Sequence, residues 1–246
     1  KSQKDPSAHT VTKIEINVSK EDGSISVKND GEGIRVEMHE KEQVYIPELI
    51  FGHLLTSSNY DQSKIKHVGG RNGYGAKLTN IFSTMFYLET IDANVGKKFK
   101  QTFYDNMSRK DKPSITKNSG KPYTMIKYKP DYNRFKVNGL TNDMYNIMKR
   151  RVYDLAACTG SNCVVSFNDS KIDCKSLDKY ANYYLGDIAE NPRAYERVSS
   201  RWEIVVALNP FQSFEQVSFV NGICTYRGGK HVDYILNQIV KKLGDY

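Results

Sequence analysis

One tryptophan and seven prolines are all that this 246-residue chain contains of those two residues. Its apolar runs are short as well. None approaches the roughly 18 residues that a membrane-spanning helix needs, and no secretory signal is readable at the start. The four cysteines, Cys158, Cys163, Cys174 and Cys224, include no Cys-x-x-Cys pair, so they read as reduced structural thiols rather than a zinc or dithiol motif. Five histidines are present, and none stands in His-Glu-x-x-His; His39-Glu40 lacks the second histidine. A Gly-x-Ser-x-Gly elbow is also missing, which leaves a serine nucleophile without local support. Internal repeats and low-complexity tracts are absent.

What is plentiful is positive charge. Thirty-six Lys and Arg face 28 Asp and Glu, a net charge of +8, which favours an acidic polymer as partner. Lysines interleave with aromatics at Lys97-Lys98-Phe99-Lys100 and from Tyr123 to Lys129. Each segment alone reads as an ordinary amphipathic strand with a solvated face. The hydrophobic fraction of 39% and the 17 tyrosines are sufficient for a core.

Periodicity gives an α+β chain in two units. Strands are expected from Thr10 to Val18, Ser24 to Lys28, Met85 to Ile91, Lys98 to Tyr104, Thr124 to Lys129 and Asn162 to Phe167. Met144, Ile147, Met148, Val152 and Leu155 make a helical stripe between Asp143 and Ala157. The polar, tyrosine-rich stretch from Ser176 to Ser200, with its Asn191-Pro192 turn signal, holds the boundary between residues 1–190 and 191–246. Beyond it, Trp202 to Leu208 and Gln216 to Ile223 read as strands, and His231 to Leu243 as an amphipathic helix.

Three segments carry candidate chemistry. The run Gly69-Gly70-Arg71-Asn72-Gly73-Tyr74-Gly75-Ala76-Lys77 leads into Leu78, Ile81 and Phe82 at helical spacing. A glycine-rich loop feeding a helix N-terminus suits a polyphosphate, because backbone N–H groups point at the anion and no Cβ obstructs it. Ala76 stands where a Walker A loop has its lysine, so the run is a phosphate loop of another kind. Upstream, Asn29-Asp30-Gly31-Glu32-Gly33 follows a strand. Taken alone, Asn-Asp-Gly reads as a turn; in the functional reading Asp30 accepts a hydrogen bond from the exocyclic amine of adenine and rejects guanine, while Gly31 and Gly33 keep the pocket wall low. Between the two, Ser57, Ser58 and Asn59 close a helix that Pro47 opens, with Leu49, Ile50, His53 and Leu54 as its apolar stripe.

Taken together and in this order, the three segments resemble the ATP-binding region of the GHKL superfamily. Within it they are similar to the ATPase region of eukaryotic DNA topoisomerase II, a likeness that resumes at Arg201-Trp202-Glu203, Ser218 to Ile223 and Gly228 to Tyr234. The resemblance implies a GHKL (Bergerat) α/β sandwich with helices on one face of a mixed sheet, followed by the start of a ribosomal-S5-like transducer. It implies ATP as ligand, with Mg²⁺. It assigns Asp30 to adenine, Ser57, Ser58 and Asn59 to ribose and phosphates, and Gly70, Arg71, Asn72, Gly73, Tyr74, Gly75, Ala76 and Lys77 to the triphosphate. Residues Tyr60 to Val68 would belong to a lid.

The same resemblance implies that the general-base glutamate and the Mg²⁺-holding asparagine lie upstream of Lys1, and the transducer lysine beyond Tyr246. A chain of this extent is expected to form part of an ATP site and to hydrolyse ATP poorly or not at all. The implied setting is a nuclear homodimer that passes one double-stranded DNA through another. A nucleotide-regulated dimerisation module, or another GHKL ATPase of chaperone type, is the alternative.

Overall fold

The computed structural model describes residues 10–54, 70 and 73–245. The first unit begins with β1 (Lys13–Val18) and β2 (Ile25–Asn29), an antiparallel pair, followed by the short helices α1 (Ile46–Gly52) and α2 (Gly75–Ile81). Then come β3 (Ser83–Asp92), β4 (Lys97–Tyr104), β5 (Arg109–Lys110), β6 (Ser114–Lys117) and β7 (Tyr123–Pro130). The helix α3 (Asn142–Thr159), the strands β8 (Val164–Phe167) and β9 (Ser170–Lys171), and the helix α4 (Leu177–Leu185) complete it.

These strands form one nine-stranded sheet in the order β5-β4-β3-β7-β2-β1-β8-β9, with β6 also on β4. Among the described residues only β1 and β8 pair in parallel, so the sheet is mixed.

The helices share one face of this sheet. Val27, Ile126 and Leu88 stand opposite one another across β2, β7 and β3, and so point to the same side. Val27 packs into the cluster formed with α3 (Val152, Ala156) and α4 (Tyr180), while Leu88 and Ile126 pack with Phe51 of α1. Tyr128 touches both clusters and joins the two halves of the core.

α3 starts where Thr141 caps it, its side chain accepting the Met144 N–H at 3.2 Å, and it stops at Gly160, whose φ is +79°. The stripe read from the sequence holds at Met148, Val152 and Leu155, but Ile147 is exposed and Tyr145 and Ala156 pack inward instead. α2 departs from its stripe as well. Leu78 is exposed, and the residues that α2 buries are Lys77 and Asn80. The Asn80 amide donates to the Phe51 carbonyl at 3.1 Å, tying α2 to the end of α1. A backbone acceptor, rather than apolar contact, sets which face turns inward.

The second unit holds β10 (Arg193–Ser199) and β11 (Trp202–Ala207), an antiparallel hairpin, then β12 (Phe219–Val220), β13 (Ile223–Cys224) and α5 (Lys230–Gly244). Two expectations need correction here. Ser176 to Ser200, read as a polar boundary stretch with no element assigned to it, contains α4 and β10. Gln216 to Ile223, read as one strand, is broken into a hairpin by Asn221 (φ +52°) and Gly222 (φ +78°). Asn-Gly is the pair that a tight hairpin turn with two positive φ angles selects. The hairpin β10–β11 is fastened to α4 by the Arg193 guanidinium on Asp178 at 2.9 Å and by Glu203, which accepts the Leu177 N–H at 3.2 Å.

Candidate functional site

β2 alternates strictly. Ile25 and Val27 belong to the helix-covered face, so Asn29 is in phase with that face and Asp30 is not. Asn29 stands opposite Thr124 of β7, which stands opposite Thr90 of β3. The two threonine hydroxyls are 3.1 Å apart. A half-buried polar row thus crosses three strands at one end of the apolar core. The Asn29 side-chain oxygen also accepts the Gly31 N–H at 3.1 Å, which turns the chain out of the strand.

Asp30 points elsewhere. Its carboxylate accepts the Thr12 N–H at 2.9 Å, the Lys13 N–H at 2.8 Å and the Thr12 hydroxyl, fixing the start of β1. Burial alone would raise its pKa; the hydrogen bonds outweigh burial and hold the carboxyl below its ordinary value. Asp30 therefore braces the strand beside Asn29 with an ionised side chain.

The loop after Asn29 is pinned to β3. The Thr90 hydroxyl accepts the Ile34 N–H at 2.9 Å and donates to the Tyr123 carbonyl at 2.9 Å, and Asp92 accepts the Val36 N–H at 2.8 Å. Gly33 has φ +80°, and a Cβ there would lie 2.0 Å from the Ile91 carbonyl oxygen. Both its conformation and its closeness to β3 require glycine. At Gly31 a Cβ would meet Asn29 Oδ1 at 2.9 Å. The expectation that these glycines lower a pocket wall is thus replaced by a tighter reason, the chain's own packing.

The second group lies along α2. Gly70 and Gly75 have open space where a Cβ would stand, among the described residues, and Gly73 takes φ +69°. Lys77 is 2% exposed, and its ammonium donates to the Gly73 carbonyl at 2.9 Å, so the helix holds its own loop. Burial lowers the Lys77 pKa. Tyr74 and Ala76 are exposed. α2 packs on β3 and β7, the strands that carry Thr90 and Thr124. Ser83, just after α2, and Thr90 lie seven strand steps apart on β3, about 23 Å. Ser57, Ser58, Asn59, Arg71, Asn72 and the segment from Tyr60 to Val68 lie outside the described residues.

No group of three or more His, Cys, Asp or Glu that could hold a metal ion occurs among the described residues, and Asp30 is already engaged with β1. These residues do not make a protein-built Mg²⁺ cage, and no chemical step here is assigned to that ion.

The arrangement matches solved structures closely. The ATPase region of Saccharomyces cerevisiae topoisomerase II superimposes with a TM-score of 0.90 at 47% identity, over 96% of this chain and 62% of that one. The chain belongs to the eukaryotic DNA topoisomerase II ATPase-region family. A structure of the ATPase and transducer domains of DNA topoisomerase II from Balamuthia mandrillaris gives the same TM-score at 44% identity, over 98% of this chain and 60% of that one. DNA topoisomerase 2 of Pisum sativum is 48% identical over 243 residues, 96% of this chain. A family model described as DNA gyrase B matches residues 176–246, the part that includes α4 and the second unit. The chain spans 16% of the pea topoisomerase II and 18% of the yeast one.

Extending the alternation of Ile25 and Val27 by one step puts residue 29, not 30, on the covered face, a phase legible in the sequence.

Proposed function

We propose that this chain is the ATP-binding part of a type II DNA topoisomerase, with residues 1–190 as the nucleotide-binding sandwich and 191–246 as the first part of the transducer. The single observation that carries the reading is the 47% identity to a solved topoisomerase II ATPase region across 96% of the chain. The base would lie against the strand end, with Asn29 reading its edge beside Thr124 and Asp30 holding Asn29 in place. The glycine run from Gly70 to Lys77 would wrap the triphosphate, and Ser57, Ser58 and Asn59 would contact ribose and phosphates. The Lys77 ammonium, which donates to the Gly73 carbonyl, would turn to the bound triphosphate.

Function then follows from linkage. ATP favours closure only if it binds the closed, dimeric form more tightly than the open one. Two copies closing around a DNA duplex, and reopening after hydrolysis, would couple ATP to the passage of one double-stranded DNA through another. Nuclear localisation and Mg²⁺ accompany this reading.

The test is a calorimetric titration of the chain with a non-hydrolysable ATP analogue, repeated on Asn29→Ala and Asp30→Ala. Binding that is lost in a folded Asn29→Ala variant supports the pocket. Equal binding in both variants and the parent would overturn the assignment of the strand end to adenine.

A further inference from the structure

The face of the large sheet opposite the helices gathers the two lysine-rich segments. Lys98 and Lys100 of β4, Lys127 and Lys129 of β7, and Lys28 of β2 all fall on the residues out of phase with the core. Lys100, Lys127 and Lys129 are exposed. The acids on this face are few. Glu89 lies 7% exposed beneath Lys98 and Lys100, and Glu15 of β1 pairs with Lys13 at 2.8 Å. Asp22, in the β1–β2 turn, acts on Lys127 from the rim. At one end of this face Ile91 is 4% exposed, and the loop at Gly120 lies against it.

We propose that this outward face is a docking surface for the sugar-phosphate backbone of double-stranded DNA. The proposal deepens the functional reading above, on which the identity of the polymer rests. Strands lie about 4.8 Å apart, so Lys28 of β2 and Lys100 of β4, aligned across three strand steps, are about 14 Å apart. That is close to the roughly 12 Å width of the DNA major groove, so lysines at the two sides of this face reach phosphates on both sides of the groove.

The tyrosines argue for a duplex over a single strand. A stacking platform needs free ring faces. The Tyr123 ring has Lys28 at 4.6 Å and Lys98 at 5.7 Å from its centroid. The hydroxyls of Tyr123 and Tyr87 both donate to Glu89. Glu89 thereby locks the rings and positions Lys98, leaving a charged, non-stacking floor. Contacts of this kind read phosphate spacing and not sequence.

The test is fluorescence anisotropy of the full chain with a labelled duplex of about 20 base pairs across a salt series. The triple variant Lys100→Ala, Lys127→Ala, Lys129→Ala is expected to bind at least tenfold more weakly at about 0.1 M salt, with the log–log salt slope flattened by about 2.7. Lys149→Ala, Lys175→Ala, Lys241→Ala removes the same charge elsewhere and is expected to cost less than about threefold, since nonspecific affinity tracks the phosphates contacted.

Equal losses in the two triples, or no loss in the first, would overturn the surface. So would displacement of the duplex by polyglutamate at matched charge, which would make the partner an acidic protein, or tighter binding of single-stranded DNA. The single variants Lys127→Ala and Lys129→Ala, each expected to cost several-fold, keep the test decisive if the triple does not fold. Titration of the same variants with the ATP analogue separates the two readings. Unchanged analogue binding with unchanged DNA binding overturns this surface alone.

Discussion

The Tyr180 hydroxyl of α4 donates to the Asp154 carboxylate of α3 at 2.6 Å, and Asp154 is 1% exposed. Arg151 completes the group. Its guanidinium meets Asp154 at 3.3 Å and donates onward to the Gly222 carbonyl in the β12–β13 turn at 2.9 Å. A buried carboxylate thus joins two helices of the sandwich to a hairpin of the second unit. Tyr180→Phe removes one donor from a buried charge and is expected to destabilise the chain by about 1–3 kcal/mol, read as a lower urea midpoint at unchanged slope. A midpoint within error of the parent would show that solvent replaces the hydroxyl.

Gly33→Ala should be costly out of proportion to one methyl group. The Cβ would meet the Ile91 carbonyl at 2.0 Å, and φ is +80°. The loop must leave β3 to make room, breaking the Thr90–Ile34 and Asp92–Val36 bonds. A loss of about 2 kcal/mol or more is expected, with faster amide exchange at Ile34 and Val36. Slow exchange at both amides would refute the pinning.

Glu89 makes a pH prediction. Burial would raise its pKa; the hydroxyls of Tyr123 and Tyr87 and the Lys98 ammonium outweigh it and bring the carboxyl down to about 2 from an ordinary 4.5. A folded-state pKa below the unfolded one contributes stability that is present above about 4.5 and lost as pH falls towards 2. Glu89→Gln should therefore have a lower Tm than the parent at pH 7, and the gap should close between pH 4.5 and 2. A gap that stays constant through that window would contradict the assigned ion pairs.

Asn29 and Asp30 should separate in a stability experiment as well as in binding. Asp30→Asn retains one acceptor oxygen yet loses the carboxylate charge that Thr12 and Lys13 share, and is expected to cost about 1–3 kcal/mol. Asn29→Ala gives up the bond to the Gly31 N–H, about 1 kcal/mol. The larger loss of stability is expected from residue 30 and the larger loss of analogue affinity from residue 29. The reverse order would return the base contact to Asp30.

Much of the sheet was legible because β4 alternates between core Phe99 and Phe103 and outward lysines, and β7 between inward Ile126 and Tyr128 and outward Lys127 and Lys129. α3 was legible from its stripe and its Thr141 cap. What escaped reading depended on partners distant in sequence. α4 buries a tyrosine, Tyr180, whose inward turn is set by Asp154 twenty-six residues away. α2 turns Lys77 and Asn80 inward because backbone carbonyls await them, and hydropathy assigns those positions to water. The β12–β13 hairpin was readable from Asn221-Gly222, but the apolar residues on both sides masked the turn. In the candidate site the glycine run and the Asn-Asp-Gly turn stood out as composition, whereas the face each side chain takes required the strand's phase.

β1 lies in the middle of its sheet between an early neighbour and a late one. β2 follows within a few residues, but the parallel partner β8 comes about 150 residues later, where Asn168 accepts the Val18 N–H at 2.7 Å and returns a bond to the Val18 carbonyl at 3.1 Å. During synthesis at about 5–20 residues per second, the exposed edge of β1 waits roughly 8–30 s for that partner. An unpaired apolar edge held open this long is a template for foreign strands. The flank of β1 thus stays open to mispairing until β8 has been made.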